Sequence, residues 1–111
     1  MDRVVDLSEV VQREVTDYLR GGDFKAQSFY LETPEGNTYA IITVPDSDHP
    51  FVNKPVLVMM VRVVNGLVFI DADMTDRPLY KELLRCGIPR EQIILAYAGE
   101  TSPAEMNEQG G

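Results

Sequence analysis

Apolar residues recur at three- and four-residue spacing through Val4, Leu7, Val11, Val15 and Tyr18, with Val10 and Leu19 widening the stripe. That period predicts an amphipathic helix. Asp6, with Glu9 three residues on, resembles a capping box in which Asp stands in for Ser or Thr. Glu9 and Arg13 are spaced for an i,i+4 ion pair, and Gly21-Gly22 punctuates the end. The period then drops to two. Ala26–Glu32 and Tyr39–Val44 flank Thr33-Pro34-Glu35-Gly36-Asn37, whose Pro and Gly mark a hairpin turn. Val56–Val64 and Leu67–Ala72 flank Asn65-Gly66, the dipeptide suited to a type I′ turn because both central positions need positive φ. A helix over Asp76–Cys86 follows, with Thr75 and Asp76 as cap candidates, Pro78 in its first turn, Gly87 at its end and Pro89 beyond. Gln92–Tyr97 reads as a last strand.

The resulting order, α-β-β-β-β-α-β, predicts a two-layer α+β domain with a mainly antiparallel five-stranded sheet and two helices. At 111 residues the chain holds one core. The domain is expected over residues 1–98. Residues 99–111, GETSPAEMNEQGG, have one Met and no other large apolar side chain, and are expected to form a flexible acidic tail.

The second hairpin carries more apolar surface than such a domain needs. In a strand, alternate residues face opposite sides. Val56, Val58, Met60, Arg62 and Val64 would share one face, and Leu57, Met59, Val61 and Val63 the other. Leu67–Ile70 is apolar on both sides, with Asp71 and Asp73 interrupting one. Two short helices cover only one face of five strands, so the other is expected to be covered by a second copy. Each buried Val, Leu or Met contributes about 1.5–3 kcal/mol. A homo-oligomer, with a dimer favoured, is therefore expected; the competing arrangement is a closed monomer with one helix on each face.

Charge narrows the function. The net charge is −8 and the pI near 4.5, and the ten Lys and Arg are scattered singly, most beside acidic neighbours. Such a chain is repelled by phosphate backbones and anionic membrane surfaces, so direct nucleic-acid and membrane binding are not expected. One cysteine, Cys86, excludes an internal disulfide and suits a reducing compartment. It falls at a helix C-terminus, where the dipole does not activate a thiol, and reads as a small buried apolar residue. The longest apolar run, Pro55–Val61, is about seven residues against the roughly 20 needed to span a bilayer. The opening MDRVVDLSEV lacks a signal-peptide h-region, and a soluble cytoplasmic protein is expected.

Asp71, Asp73 and Asp76, with Thr75 among them, form the densest acidic cluster. They could supply oxygen ligands for Mg²⁺ or Ca²⁺, but D-A-D-M-T-D lacks the glycine and distant Glu of an EF-hand loop. In the structural reading, Asp71 and Asp73 blunt a strand end and Thr75 or Asp76 caps the helix. Asp46, Asp48 and His49 lie in the proline-bearing loop PDSDHPFVNKP, and no Ser/His/Asp or Cys/His set accompanies the only histidine. Tyr18, Tyr30, Tyr39, Tyr80 and Tyr97 are dispersed without interleaved basic residues, which suits packing rather than base stacking. There is no GxGxxG, P-loop or CxxC. The expectation is a non-catalytic protein with no catalytic, cofactor-binding or metal-binding residues and no cofactor. The alternative is a small metal-dependent or ligand-binding enzyme using the Asp71/Asp73/Asp76 edge or the His49 loop.

Three segments carry a family resemblance: Asn65-Gly66-Leu67-Val68-Phe69-Ile70, Asp73-Met74-Thr75-Asp76, and Gly87-Ile88-Pro89-Arg90-Glu91-Gln92-Ile93-Ile94-Leu95. With the first helix and Tyr39-Ala40-Ile41-Ile42, they make the chain from Val4 to Tyr97 resemble the XisI family, named for the excision controlling factor of the cyanobacterial fdxN element. The chain departs from the family pattern at Phe69 and Asp71, where tryptophan and glutamine are usual, and at Val44-Pro45, where Gly-Trp is common. The resemblance implies an accessory role in programmed excision of a DNA element. In that role the factor works by protein contact with a nuclease-like partner and a site-specific recombinase. The acidic balance offers a third possibility, a DNA mimic whose acidic surface would occupy the basic groove of a nuclease.

Overall fold

The computed structural model describes residues 6–19, 26–45 and 54–101. The first helix, α1, runs Leu7–Asp17, with Asp6 in extended conformation accepting from the amides of Ser8 at 3.1 Å and Glu9 at 3.4 Å. This is the N-cap that the sequence predicts, because the carboxylate satisfies amides left orphaned by the first turn. Arg13 makes its ion pair with the adjacent Glu14 at 3.6 Å, not the expected one with Glu9. Gly21-Gly22 lies outside the described residues.

Five strands follow: β1 (Ala26–Glu32), β2 (Thr38–Pro45), β3 (Val56–Val64), β4 (Leu67–Asp73) and β5 (Ile93–Leu95). They lie in one sheet in sequence order, antiparallel except for the β4–β5 pair. A parallel neighbour needs a crossover. The second helix, α2 (Leu79–Arg85), supplies it between Asp73 and Ile93. Asn65 (φ 51°) and Gly66 (φ 79°) both take positive φ in the β3–β4 turn, as a type I′ hairpin requires. The architecture is the two-layer α+β fold expected, in the expected order. Its last strand is shorter than Gln92–Tyr97, because single 3₁₀ turns at Arg90–Gln92 and Ala96–Ala98 hold its two ends.

Both helices pack on the same side. Val11 and Val15 of α1 and Leu79 and Leu83 of α2 are fully buried with Tyr39, Ile41, Met59, Val61, Val68, Ile70 and Ile93 in one core. The closed arrangement with a helix on each face is therefore not the one built.

Two local departures have physical causes. β3 does not keep strict alternation, since Ile41 pairs with Met59 and Ile42 with Leu57, which leaves Val58 as an extra residue; in the β3–β4 pair the extra residue is Asp71 of β4. A bulge puts two residues opposite one, so Leu57 and Met60, three apart, come to share the face away from the helices. Helix α2 begins at Leu79, not Asp76, because Pro78 keeps extended backbone (φ −58°, ψ 134°) and disfavours helix in the residue before it. Among the described residues, no helix is long and apolar enough to cross a membrane.

Candidate interaction surface

The sheet face away from the helices is apolar and largely uncovered. Phe29 and Leu31 alternate with Tyr30, which packs on the core, so they point the other way and are 47% and 48% exposed. Pairing carries the face across the sheet. Phe29 stands opposite Ile42, which stands opposite Leu57, and Leu31 stands opposite Ala40, which stands opposite Met60. Leu57 is 41% exposed. Toward the other edge, Ile94 lies beside Phe69 on this side and is fully buried, so the uncovered area is concentrated on β1–β3. The expectation of a doubly apolar second hairpin thus holds. Phe29 and Leu31 were not anticipated as part of the face, although the period-two alternation of Ala26–Glu32 carries the signal.

One ion pair sits in this apolar setting. Arg62 donates from Nε to Asp71 Oδ2 at 2.6 Å and from Nη2 to Asp71 Oδ1 at 3.1 Å, a two-pronged pair. Its guanidinium also lies 4.9 Å from the centre of the Phe69 ring. The Asp71 bonds push the Arg62 pKa up, against the opposing effect of burial. Hairpin register explains the meeting: Arg62 faces Phe69 directly, and Asp71 is the diagonal neighbour.

The acidic edge separates into three different jobs. Asp71 is taken by Arg62. Asp73 accepts from the Thr75 amide at 2.9 Å, the Thr75 hydroxyl at 2.6 Å and, through its other oxygen, the Leu79 amide at 2.7 Å. Asp73 is therefore the carboxylate that caps α2; the cap expected from Thr75 or Asp76 comes from the strand end instead. Asp76 is exposed. No group of three or more His, Cys, Asp or Glu among the described residues is placed to hold a metal ion. Asp46, Asp48 and His49 lie outside the described residues.

Cys86 is exposed at the C-terminus of α2, not buried as expected. Its thiol is pushed up from the ordinary value by partial desolvation of the sulfur and by the Glu14 carboxylate, so it is a poorer nucleophile than a free thiol. Past Ala98, Glu100 accepts from the Leu95 amide and from Arg90 Nη2, each at 2.9 Å.

Between the C-terminal end of α1 and the β4–α2 connection lies a cavity of about 700 Å³, with Ile41 and Val58 on its walls and Thr43, Thr75 and Asp76 among its polar lining. Arg77, also on its wall, is committed to its neighbours: its guanidinium stacks 4.4 Å from the Tyr18 ring centre and approaches Asp17 at 3.9 Å and Glu82 at 4.0 Å. The Tyr18 hydroxyl donates to the Arg77 carbonyl. These contacts lock α1 to the β4–α2 connection and bring no reactive pair together.

The family model described as XisI protein matches residues 1–106. The chain belongs to the XisI family. Among solved structures, this XisI-family chain is similar to a XisI-like protein from Anabaena variabilis, with 24% identity and a TM-score of 0.69 over 80% of this chain and 82% of that one. It is also similar to the fdxN element excision controlling factor XisI from the same organism, with 18% identity and a TM-score of 0.54 over 80% and 83%. At those identities the likeness establishes the XisI fold. No curated protein matches the chain.

Proposed function

We propose that this XisI-family protein is a non-catalytic controlling factor in the excision of a DNA element, acting by contact with other proteins and not by cutting or joining DNA. The observation that carries the reading is the apolar sheet face across β1–β3, left exposed in a domain whose Asp71 and Asp73 carboxylates are engaged in an ion pair and a helix cap. Contiguous apolar surface of this kind marks an interaction site. The acidic balance of −8 supports a partner that is protein and not phosphate backbone. The family gives the process its name. On this reading the partners are a nuclease-like protein and a site-specific recombinase, and the chain brings them together or holds one in check.

An excision reporter co-expressing the recombinase and the nuclease-like partner tests the proposal. Excision should depend on this chain, and immobilised chain should capture the nuclease-like partner across a range of salt concentrations. Leu31→Glu, an exposed change on the face, should abolish both. Excision that proceeds equally well without the chain, together with empty pull-downs, would refute the reading.

A further inference from the structure

We infer that the exposed face of β1–β3 is closed by a second copy of the same chain, sheet packed on sheet about a two-fold axis. This rests on the reading of that face as a protein-contact surface and names its first occupant. Charge is the leading argument. The ionisable side chains on this face among the described residues are Arg62 and Asp71, and they neutralise each other within one chain. The chain as a whole carries −8. Two copies therefore repel through most of their surface, and the neutral face is where that repulsion is least. A two-fold contact also sets the same patch against itself, so apolar side chains meet apolar side chains.

Size agrees. Strands about 4.8 Å apart and about 20–25 Å long give the three strands β1–β3 a plane of roughly 300–350 Å² per copy. Two such planes, with side-chain relief added, give an interface near the lower, roughly 1,200 Å² end of specific contacts, the size of a dimer that dissociates on dilution. Sheets packed this way stack about 10 Å apart with strands nearly aligned. Leu57 and the alternating Phe29 and Leu31, which share this face, supply the interdigitating side chains. Arg62 and Asp71 already satisfy each other, so covering them leaves no unpaired charge.

Sedimentation velocity over a dilution series, with circular dichroism to verify folding, tests this. Wild type should sediment at twice the 12.5 kDa chain mass. Phe29→Glu and Leu57→Glu should remain folded and raise the dissociation constant by about 100-fold or more. Met74→Glu, at an exposed apolar residue beside the α2 connection, should leave the dimer intact. A single-chain mass at every concentration overturns the inference, as does a dimer that Phe29→Glu and Leu57→Glu leave unchanged. Capture of the nuclease-like partner by the same variants separates the two levels. A monomeric wild type whose face variants lose capture removes the dimer and keeps the contact reading; unchanged capture removes both.

Discussion

Asp73, the last residue of β4, accepts the amide proton of Leu79, the first residue of α2, at 2.7 Å while holding Thr75 through its other oxygen. A strand end thus caps the next helix across a five-residue connection that contains two more cap candidates. Asp73→Ala should cost about 1–2 kcal/mol, the range for losing an N-cap. In a domain of this size that lowers the melting midpoint by roughly 4–15 °C. Asp76→Ala, at an exposed position, should change stability by no more than about 0.5 kcal/mol. Urea unfolding of the two variants decides which aspartate caps the helix.

Neighbouring leucines should differ sharply. Leu83 is fully buried in the core, whereas Leu84 is 37% exposed on the outer side of α2. Leu83→Ala should destabilise by about 2–5 kcal/mol, the sum of lost transfer energy and a residual cavity. Leu84→Ala should cost well under half of that. Equal losses would mean that α2 is rotated relative to the sheet.

Gly66 tests backbone alone. Its φ is 79°, and a Cβ built there meets nothing within 4 Å. Gly66→Ala should therefore cost about 1–2 kcal/mol through the left-handed conformation, with no steric clash to add. Replacing Gly36, also at positive φ, brings the new Cβ within 3.5 Å of a Glu32 side-chain oxygen, an ordinary contact, so a similar loss is expected there. Chemical denaturation of both alanine variants gives the comparison.

Alkaline pH should destabilise the fold. Tyr30 is pushed well above its ordinary value of 10.0 by desolvation and then by its hydrogen bond to the Glu32 carboxylate. Burial is also the largest cause of the upward shifts of Tyr18, Tyr39 and Tyr97. With folded pKa values above the unfolded one, the unfolded chain releases these protons first. The tyrosine contribution is therefore complete below about pH 10 and is lost as pH rises through the folded values. Denaturation midpoints should hold level from neutral pH to about 9 and fall beyond 10. Tyrosinate absorbance should appear later in folded than in unfolded protein.

Local pattern was enough for the elements themselves. The spacing from Leu7 to Tyr18, the alternation in Ala26–Glu32 and the Asn65-Gly66 turn are each set by the geometry of adjacent peptides, so helix, strand and hairpin are written in short windows of sequence. Asp6 as a cap follows for the same reason, since donor and acceptor lie within three residues. Asp71 illustrates the limit. Its carboxylate reads as a strand-end charge until the hairpin register brings Arg62 beside it, nine residues away in sequence.

What the sequence determined by itself was the order of elements, the acidic balance and the surplus of apolar side chains on β3 and β4. Tertiary structure alone decided that α1 and α2 share one face, that a bulge at Val58 sets Leu57 and Met60 on the same side, that Asp73 caps α2, and that Cys86 faces solvent. The physical reason is range: periodicity and turn chemistry act between neighbours along the chain, whereas coverage of a face depends on which distant surfaces meet, and no short window carries that information.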